Sequence, residues 1–461
     1  MRQEIISNIL YFGLTCTGPF LALVYALAAL AFRAAWHECS WLSMNRDVGC
    51  ALTFLVANIA YSVALVHPGG EGDPKVNAVI LSMVVLVSWG VSIMNMVNIY
   101  RQKVQGRMPD LEPYCLEERV ILITGSNGGI GKESAKLCLK YGARTVIFAC
   151  RSKIRAESAI DEIANFFDIE KDSEEYFLRF RFLSCDLSSL ESVRQAVKTF
   201  ESWDMPLHIL VNNAGIMMGH KELSKDRYEM TMACNHLGHF LLTTLLLPKL
   251  RDSAKKFGKP SRVINLTSST YTLASSMDLD DLFCDKSRPY TLFGQYAQSK
   301  LANILFTNEL ARREQQLQSS PTRSYGDVQD SPGSRSSSSS RSGSALVNAY
   351  AVHPGLVRTD VVRNMPWYLY YPNKIFGVLM VFLQKSPEAG AYTTLYCVAS
   401  EEIAVKHVTP SSCFFSNCAE EQLWPVAQDV TKAKELWILS EHLVTKTDKN
   451  NDMTTTQSIL N

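Results

Sequence analysis

The chain has 461 residues, of which 47% are hydrophobic, so it can bury one large core or a few smaller ones. Lysine and arginine number 46 against 45 aspartates and glutamates, and the formal charge of +1 gives no basic field that would attract a nucleic acid. The 12 cysteines are scattered singly, without Cys-x-x-Cys pairs or close histidines, which argues against a disulfide framework and a metal site.

Three long apolar stretches occupy the first hundred residues. They run from Ile6 to Phe32, from Val48 to Val66 and from Val76 to Tyr100, each near the ~20 residues needed to cross a bilayer. They predict an all-α, multi-pass membrane region of about three helices over residues 1–105, in contact with the lipid bilayer. The alternatives are a signal peptide for the first stretch, or a re-entrant or interfacial helix, because Pro19 interrupts the first and the second is barely long enough.

Basic residues predict how this region is oriented. Arg33 and Arg46 lie in the first loop, and three basic residues between positions 101 and 107 follow the third stretch. By the positive-inside rule, the N-terminus faces outward and everything after Tyr100 faces the cytosol. We expect the membrane to be that of the endoplasmic reticulum.

From about Glu117, apolar strand-like runs alternate with amphipathic helical stretches. This alternation is typical of an α/β domain built on a doubly wound parallel sheet, a Rossmann architecture, and we assign residues 106–445 to it. The predicted strands are Val120–Thr124, Thr145–Ala149, Arg179–Cys185, Ile209–Asn212, Val263–Thr267 and Val347–Val352.

The first predicted strand runs into a glycine-rich turn, TGSNGGIG, and a helical pattern begins at Lys132. A pyrophosphate needs bare backbone N–H groups at close range and the positive end of a helix dipole, and glycine permits that approach. Because a strand precedes the turn and a helix follows it, the turn predicts a dinucleotide site. The expected contacts are Thr124, Gly125, Ser126, Asn127, Gly129, Ile130 and Gly131.

The end of the second predicted strand indicates which dinucleotide binds. An acidic residue usually grips the NAD ribose there, but residues 148–153 read FACRSK and contain no carboxylate. Arg151 and Lys153 suit a 2′-phosphate, so NADP(H) is preferred and NAD(H) is the alternative cofactor. The alternative interpretation of Arg151 is a solvated arginine at a helix start.

Several later motifs, in this order along the chain, resemble the short-chain dehydrogenase/reductase family. They are the glycine turn, Asn212-Asn213-Ala214-Gly215, Asn235, Ser268 and Tyr296-x-x-x-Lys300, and the similarity covers about Glu117 to Leu443. Stretches 148–151, 235–240, 296–306, 352–355 and 385–391 resemble the retinol dehydrogenase and X-linked dehydrogenase/reductase branch. The resemblance implies an oxidoreductase that interconverts an alcohol and a carbonyl by hydride transfer.

Tyr296 and Lys300 are four residues apart in a helical stretch, so both side chains project from one helix face. A free phenol, with a pKa of about 10, is a poor base, but an adjacent ammonium and a positive nicotinamide ring favour the phenolate. Tyr296 is therefore the expected general acid/base. Ser268 is expected to hydrogen-bond the substrate oxygen where charge develops, with Thr267 and Ser269 as alternatives.

The resemblance implies further roles. Asn235 would hold a water that links Lys300 to bulk solvent. Asn212, Ala214 and Gly215 would contact the cofactor, and Asp186 and Leu187 would border the adenine. Pro354, Gly355 and Thr359 would face the nicotinamide amide. The resemblance also leaves room for a homodimer.

Two stretches depart from the family pattern. Residues 315–344 are rich in serine and almost free of large apolar residues, so we expect a disordered insertion there, and residues 446–461 form a polar tail. Residues 365–383 are apolar and aromatic and predict a lid over a lipophilic substrate of retinoid, sterol or polyprenol type, with an ordinary core helix as the alternative. A membrane-tethered nucleotide-binding scaffold without turnover is the competing function.

Overall fold

The computed structural model describes residues 106–286, 288–319, 346–357, 384–405 and 413–445. The predicted membrane region, the lid, Thr359 and the C-terminal tail lie outside these ranges. Within them, no helix combines the length and the apolar composition needed to cross a bilayer.

A single mixed sheet forms the centre of the described part of the chain. Its strands are β1 Val120–Thr124, β2 Thr145–Cys150, β3 Phe180–Ser184, β4 Ile209–Asn212, β5 Ser261–Leu266, β6 Val347–His353, β7 Phe414–Ser416 and β8 Ala419–Glu420. Their order is β3-β2-β1-β4-β5-β6-β7-β8, and neighbours are parallel except for the antiparallel pair β7 and β8. The predicted Rossmann-like parallel sheet is therefore confirmed, and the sequence missed β7 and β8.

Helices cover the sheet. They are α1 Gly129–Lys140, α2 Lys153–Phe166, α3 Glu174–Arg179, α4 Leu190–Ser202, α5 Met230–Met232, α6 Gly238–Phe257, α7 Leu292–Ser319, α8 Pro387–Ala399, α9 Glu401–Val405 and α10 Val430–Thr445. A π-helical turn, Ala233–Leu237, joins α5 to α6. The five residues of β1 are all buried and apolar or Thr, as expected for a strand covered on both faces.

The strand order changes direction between β1 and β4. β1 pairs with β4 through Ile121 opposite Ile209 and Ile123 opposite Val211, while β2 and β3 continue on the other side of β1. In open α/β sheets this switch point leaves a crevice at the carboxyl ends of the strands, where ligands bind. The glycine-rich turn and the segment after Asn212 both emerge at this place.

The helix that carries Tyr296 is longer than predicted. α7 continues to Ser319, so the first five residues of the predicted disordered insertion, 315–319, are helical. Ion pairs support this end of the helix, because the buried Glu314 carboxylate accepts hydrogen bonds from Arg251, and Glu309 is paired with Arg312 and Arg313. Residues 320–344 of the predicted insertion lie outside the described residues.

Candidate active site

The glycine turn is shaped by contacts that leave no room for side chains. Gly125 has a φ of +65° and donates its N–H to the carbonyl of Ala149 at 2.9 Å. A Cβ on Gly131 would lie 2.4 Å from the Asn213 side-chain nitrogen and 2.6 Å from the Gly125 carbonyl oxygen. Glycine at positions 125 and 131 therefore follows from the backbone geometry of the turn.

The start of α1 is open to a ligand. Gly128 precedes the helix in an extended conformation, provides no side-chain cap, and would bear a Cβ with no atom within 4 Å. The first N–H groups of an α-helix have no partner inside the helix, so this uncapped start fits the pyrophosphate of a dinucleotide. The Ser126 hydroxyl instead turns inward and donates to the Ile123 carbonyl at 3.0 Å. The half-buried residues beside the opening are Asn127, Gly129 and Ile130.

Thr124 ties the glycine turn to the segment that follows β4. Its hydroxyl oxygen accepts the backbone N–H groups of Asn213 at 2.9 Å and Ala214 at 3.0 Å. The Asn213 side-chain amide donates back to the Thr124 carbonyl at 2.7 Å. Asn213 was not among the predicted site residues, although its motif was recognised.

The side chain of Asn212 is hydrogen-bonded within the protein. Its amide nitrogen donates to the Thr243 hydroxyl at 2.8 Å and to the Asn265 side-chain oxygen at 2.7 Å, and the residue is buried. The predicted contact of Asn212 with the cofactor could therefore come only from its backbone.

The residues predicted to surround the adenosine half lie after β2 and β3. Arg151 is exposed and, within the described residues, forms no ion pair. Asp186 accepts hydrogen bonds from the Ser188 N–H at 3.1 Å and the Ser188 hydroxyl at 2.7 Å. Burial raises the pKa of Asp186, but these hydrogen bonds and Lys225 outweigh it and lower the pKa overall. Leu187 is buried beside it.

Helix α7 brings Tyr296 and Lys300 to the end of β5. The Lys300 ammonium lies 5.5 Å from the centre of the Tyr296 ring and donates to the Leu266 carbonyl at 3.1 Å. The Ser268 hydroxyl lies close enough to the Tyr296 phenol to lower its pKa. The structure thus places these three side chains together, as the sequence predicts.

Thr267 and Ser269, the alternatives to Ser268, are placed differently. The Thr267 hydroxyl is buried and donates to the Lys300 carbonyl at 2.8 Å. Ser269 is exposed. Of the three neighbouring hydroxyls, only that of Ser268 is close enough to the Tyr296 phenol to affect its pKa.

The pKa of the phenol moves in the opposite direction from the prediction. Burial raises the pKa of Tyr296 to about 12, and the nearby Ser268 hydroxyl only partly offsets this rise in pKa. Burial also lowers the pKa of Lys300 to about 8. The expected lowering of the phenol pKa is therefore not a property of the chain alone, because burial disfavours the charged phenolate.

Asn235 lies in the π-helical turn Ala233–Leu237 and is held on both sides of its amide. Its oxygen accepts the Ile216 N–H at 2.8 Å, and its nitrogen donates to the Ile216 carbonyl at 2.9 Å and the Ser299 hydroxyl at 3.0 Å. Ser299 in turn donates to the Tyr296 carbonyl at 2.8 Å. Ser299 was not predicted, and its position inside the Tyr-x-x-x-Lys motif was the available signal.

Gly215 packs against this group of residues. A Cβ at this position would lie 3.5 Å from the Lys300 nitrogen and 3.6 Å from the Asn235 side-chain oxygen. The segment after β4 therefore contacts both the glycine turn and the Tyr296–Lys300 pair. The predicted dinucleotide site and the predicted catalytic residues form one continuous region.

The turn after β6 contains the predicted Pro354 and Gly355. Gly355 has a φ of +88°, and a Cβ there would lie 2.8 Å from the Lys385 Cε. Lys385 is buried and donates to the Asn417 side-chain oxygen at 2.7 Å, and no carboxylate among the described residues pairs with it. Lys385 was not predicted, although it begins one of the family-like stretches.

Comparisons with known proteins agree with this geometry. Residues 119–277 match the short chain dehydrogenase family. The chain is 36% identical over 331 residues to retinol dehydrogenase 12 of Bos taurus, which covers 71% of this chain and 86% of that protein. Retinol dehydrogenase 14 of Homo sapiens is 33% identical, with 72% of this chain and 88% of the relative covered. The chain belongs to the short-chain dehydrogenase family.

A solved structure has the same fold. The crystal structure of an uncharacterised protein from Mycobacterium paratuberculosis is 27% identical and has a TM-score of 0.51, with 74% of this chain and 98% of that chain covered. As a short-chain dehydrogenase, the protein is an NAD(P)-dependent oxidoreductase that acts on CH–OH groups and interconverts alcohols and carbonyls. Within its described residues, no group of His, Cys, Asp and Glu is arranged to hold a metal ion.

Proposed function

We propose that this short-chain dehydrogenase uses NADP(H) to interconvert an alcohol and a carbonyl on a lipophilic substrate, with Tyr296, Lys300, Ser268 and Asn235 as its catalytic group. The observation that carries the proposal is that the Tyr296 phenol lies near the Ser268 hydroxyl, which lowers its pKa, and has the Lys300 ammonium 5.5 Å from its ring. This group lies beside the open start of α1, where a dinucleotide would be held.

The nicotinamide, when bound, supplies the hydride for reduction or accepts it in oxidation. In reduction, the Tyr296 hydroxyl donates its proton to the carbonyl oxygen of the substrate, and in oxidation the phenolate takes the alcohol proton. The Ser268 hydroxyl donates a hydrogen bond to the same oxygen while negative charge develops on it. The Lys300 ammonium stabilises the phenolate that remains after proton donation.

Asn235 and Ser299 keep this group in position. Asn235 connects the segment after β4 to Ser299, and Ser299 is bonded to the carbonyl of Tyr296. We propose that Asn235 also holds a water through which Lys300 exchanges protons with solvent. The widened π-helical turn supports this role, because such turns often occur at functional sites.

The cofactor preference rests on Arg151. Its exposed guanidinium follows β2, where a carboxylate would otherwise select NAD, and it is available to a 2′-phosphate. The remaining cofactor contacts are proposed for the residues predicted above. They are Thr124, Gly125, Ser126, Asn127, Gly129, Ile130, Gly131, Asp186, Leu187, the Asn212 backbone, Ala214, Gly215, Pro354, Gly355 and Thr359.

The substrate class and the membrane attachment rest on composition and on relatives. Several relatives are named retinol dehydrogenases, and the apolar residues 365–383 would suit a lipophilic chain. Residues 1–105 are proposed as a membrane anchor and residues 106–445 as the catalytic domain on its cytosolic side. Expression of residues 101–461 alone tests the anchor, since soluble and active protein would make the anchor a tether only.

The test uses the full chain purified in detergent. NADPH or NADH oxidation is followed with all-trans-retinal, a ketosteroid, a polyprenal and a small water-soluble aldehyde. Tyr296→Phe should lower kcat by at least about 100-fold, because proton donation is lost. Tyr176→Phe makes the same change at a tyrosine that bonds Asp161, away from the site, and should leave kcat intact.

Each outcome decides one part of the proposal. Full activity of Tyr296→Phe would refute the mechanism, and equal turnover of the small aldehyde would refute the lipophilic substrate. NADPH binding without turnover of any carbonyl would favour the competing scaffold function.

A further inference from the structure

A buried histidine on the first turn of α6 connects the two halves of the site. His239 is 2% exposed, and the mechanism above gives it no role. Its Nε2 lies 2.8 Å from the Thr124 hydroxyl oxygen, and its Nδ1 lies 3.0 Å from the Asn235 carbonyl oxygen. One imidazole therefore contacts both the glycine turn and the π-helical turn.

The partners of the ring determine where its proton lies. The Asn235 carbonyl can only accept a hydrogen bond, so Nδ1 carries the proton. Nε2 is then an acceptor. The Thr124 hydroxyl oxygen already accepts two backbone N–H groups, and its own proton is free to be donated. His239 Nε2, at 2.8 Å, is a closer acceptor for this proton than the Val211 carbonyl, at 3.4 Å.

The environment keeps this tautomer neutral. Burial is the main cause that lowers the pKa of His239 to about 4, and the nearby Lys300 ammonium lowers it further. At neutral pH the ring thus has one donor and one acceptor, and each meets a partner of the matching kind. The hydrogen bonds of His239 are fully determined by its surroundings.

The Asn235 carbonyl that His239 contacts belongs to the π-helical turn. The Gly238 N–H donates to the Ala233 carbonyl five residues earlier, so the backbone hydrogen bonds are shifted relative to an α-helix. The imidazole gives the Asn235 carbonyl a donor from a side chain. The orientation of Asn235 is then fixed at its carbonyl by His239 and at its amide by Ile216 and Ser299.

We propose that His239 is a positioning residue that couples the dinucleotide turn to the catalytic Asn235. Through Nε2 it fixes the Thr124 hydroxyl, which holds the segment of Asn213 and Ala214. Through Nδ1 it fixes Asn235, and with it the Ser299 contact to Tyr296. This inference rests on the proposed function, because it assumes that Asn235 and Tyr296 act in catalysis.

The two contacts can be separated by substitution. In His239→Asn, the amide nitrogen can occupy about the position of Nδ1 and keep the bond to the Asn235 carbonyl, but the contact with Thr124 is lost. In His239→Gln, the amide reaches about the position of Nε2 and keeps the contact with Thr124, but the carbonyl loses its donor. His236→Gln is the matched control, because His236 is equally buried but bonds Ser440 instead.

The experiment measures NADPH dissociation constants by fluorescence, kcat with all-trans-retinal, and thermal unfolding, all on the full chain in detergent. His239→Asn should weaken NADPH binding by about 3- to 10-fold with little change in kcat, the effect of one hydrogen bond. His239→Gln should lower kcat by about 3- to 10-fold with little change in NADPH binding. Thr124→Val, which removes the hydroxyl and leaves His239, should weaken NADPH binding as His239→Asn does.

Three results would overturn the proposal. They are losses of both NADPH affinity and kcat in both His239 variants, no change in either quantity, or a selective change of one of the two quantities in the control His236→Gln. If the His239 variants do not fold, wild-type NADPH affinity in Thr124→Val would also overturn it. The proposed function is tested separately by Tyr296→Phe. If Tyr296→Phe is inactive but the His239 variants do not separate NADPH affinity from kcat, only the coupling is refuted. If Tyr296→Phe is active, the mechanism is refuted, and the NADPH measurements still test the contact between His239 and Thr124.

Discussion

The side-chain amide of Asn213 donates a 2.7 Å hydrogen bond to the main-chain carbonyl of Thr124. The same amide nitrogen would lie 2.4 Å from a Cβ on Gly131. The segment after β4 therefore stabilises the glycine turn. Residue 131 is a glycine because the Asn213 side chain occupies the space that a Cβ would need. Gly128, by contrast, is bare on the side that faces open space.

Two alanine substitutions in the glycine turn should affect different properties, one the stability of the fold and the other the affinity for NADPH. Gly131→Ala forces its Cβ against Asn213 and the Gly125 carbonyl and should destabilise the protein by about 1–3 kcal/mol. Gly128→Ala meets no neighbour and has an extended φ of 179°, so the fold should tolerate it. Its Cβ would project into the space proposed for the pyrophosphate, and NADPH binding should weaken.

Thermal unfolding and NADPH titration of both variants measure these effects. A Gly131→Ala protein as stable as wild type would contradict the close packing of Asn213 against Gly131. A Gly128→Ala protein with unchanged NADPH affinity would show that the open side of the turn is not the pyrophosphate site.

The rate of carbonyl reduction should depend on the protonation of Lys300. Burial lowers the pKa of Lys300 to about 8, so the ammonium predominates below that pH and the neutral amine above it. Burial raises the pKa of Tyr296 to about 12, so its hydroxyl keeps its proton over the same range. We expect kcat for reduction to be flat below pH ~8 and to fall as pH rises through it. Lys300→Met should lower kcat and remove its fall near pH ~8. An equal fall of kcat in the variant would assign this pH dependence to another group.

The sequence predicted the strands that are long and buried on both faces. β1 and β4 agree with the predicted bounds, and β2, β3, β5 and β6 agree within two residues. β7 has three residues and β8 has two, which is too short for any periodic pattern. Their place in the sheet is set by pairing with β6, which is a tertiary contact.

The sequence predicted which residues form the candidate site, but it did not predict the contacts between their side chains. The Asn212 side chain bonds Asn265 on β5, whereas the side chain of the next residue, Asn213, bonds Thr124 on β1, on the other side of β4. His239 and Thr124 are 115 residues apart, and no local pattern connects them. The direction of the Tyr296 pKa depends on burial, which the spacing of Tyr296 and Lys300 does not reveal.

The cofactor preference should change when the charge of Arg151 is reversed. Arg151→Asp removes the cation proposed for the 2′-phosphate and adds a carboxylate that suits a ribose hydroxyl. The KM for NADPH should rise by about 10-fold or more and the KM for NADH should fall, since a hydrogen bond to a charged group contributes about 1.5–3 kcal/mol. Lys140→Asp makes the same charge change at the far end of α1 and should alter neither constant. Equal effects in both variants would indicate a long-range charge effect.

The buried Lys385 ammonium should be stabilised by a carboxylate at position 417. Asn417 already accepts its hydrogen bond at 2.7 Å and has a φ of +50°, a conformation that aspartate also tolerates. Asn417→Asp should raise the free energy of unfolding at pH 7 by about 1–3 kcal/mol, because it replaces a neutral partner by an ionised one. The gain should disappear as the pH falls and the new carboxylate is protonated.

Thermal unfolding at neutral and acidic pH measures this effect, with Asn417→Ala as the control that loses the hydrogen bond. An Asn417→Asp protein less stable than wild type at pH 7 would mean that the ion pair with Lys385 stabilises the fold no better than the neutral hydrogen bond does.

Helix α10 packs a large aromatic side chain, Trp437, against α6 and α7. The Trp437 ring lies 5.0 Å from that of Phe240 on α6 and 5.6 Å from that of Phe306 on α7, and the Arg313 guanidinium lies 4.3 Å from it. Trp437→Ala should destabilise the protein by about 3–5 kcal/mol, because a large buried ring is removed. Ile438→Ala changes the next residue, which is 49% exposed, and should cost at most about 0.5 kcal/mol. Thermal unfolding of the two variants measures the difference, and similar melting temperatures would mean that α10 is not anchored through Trp437.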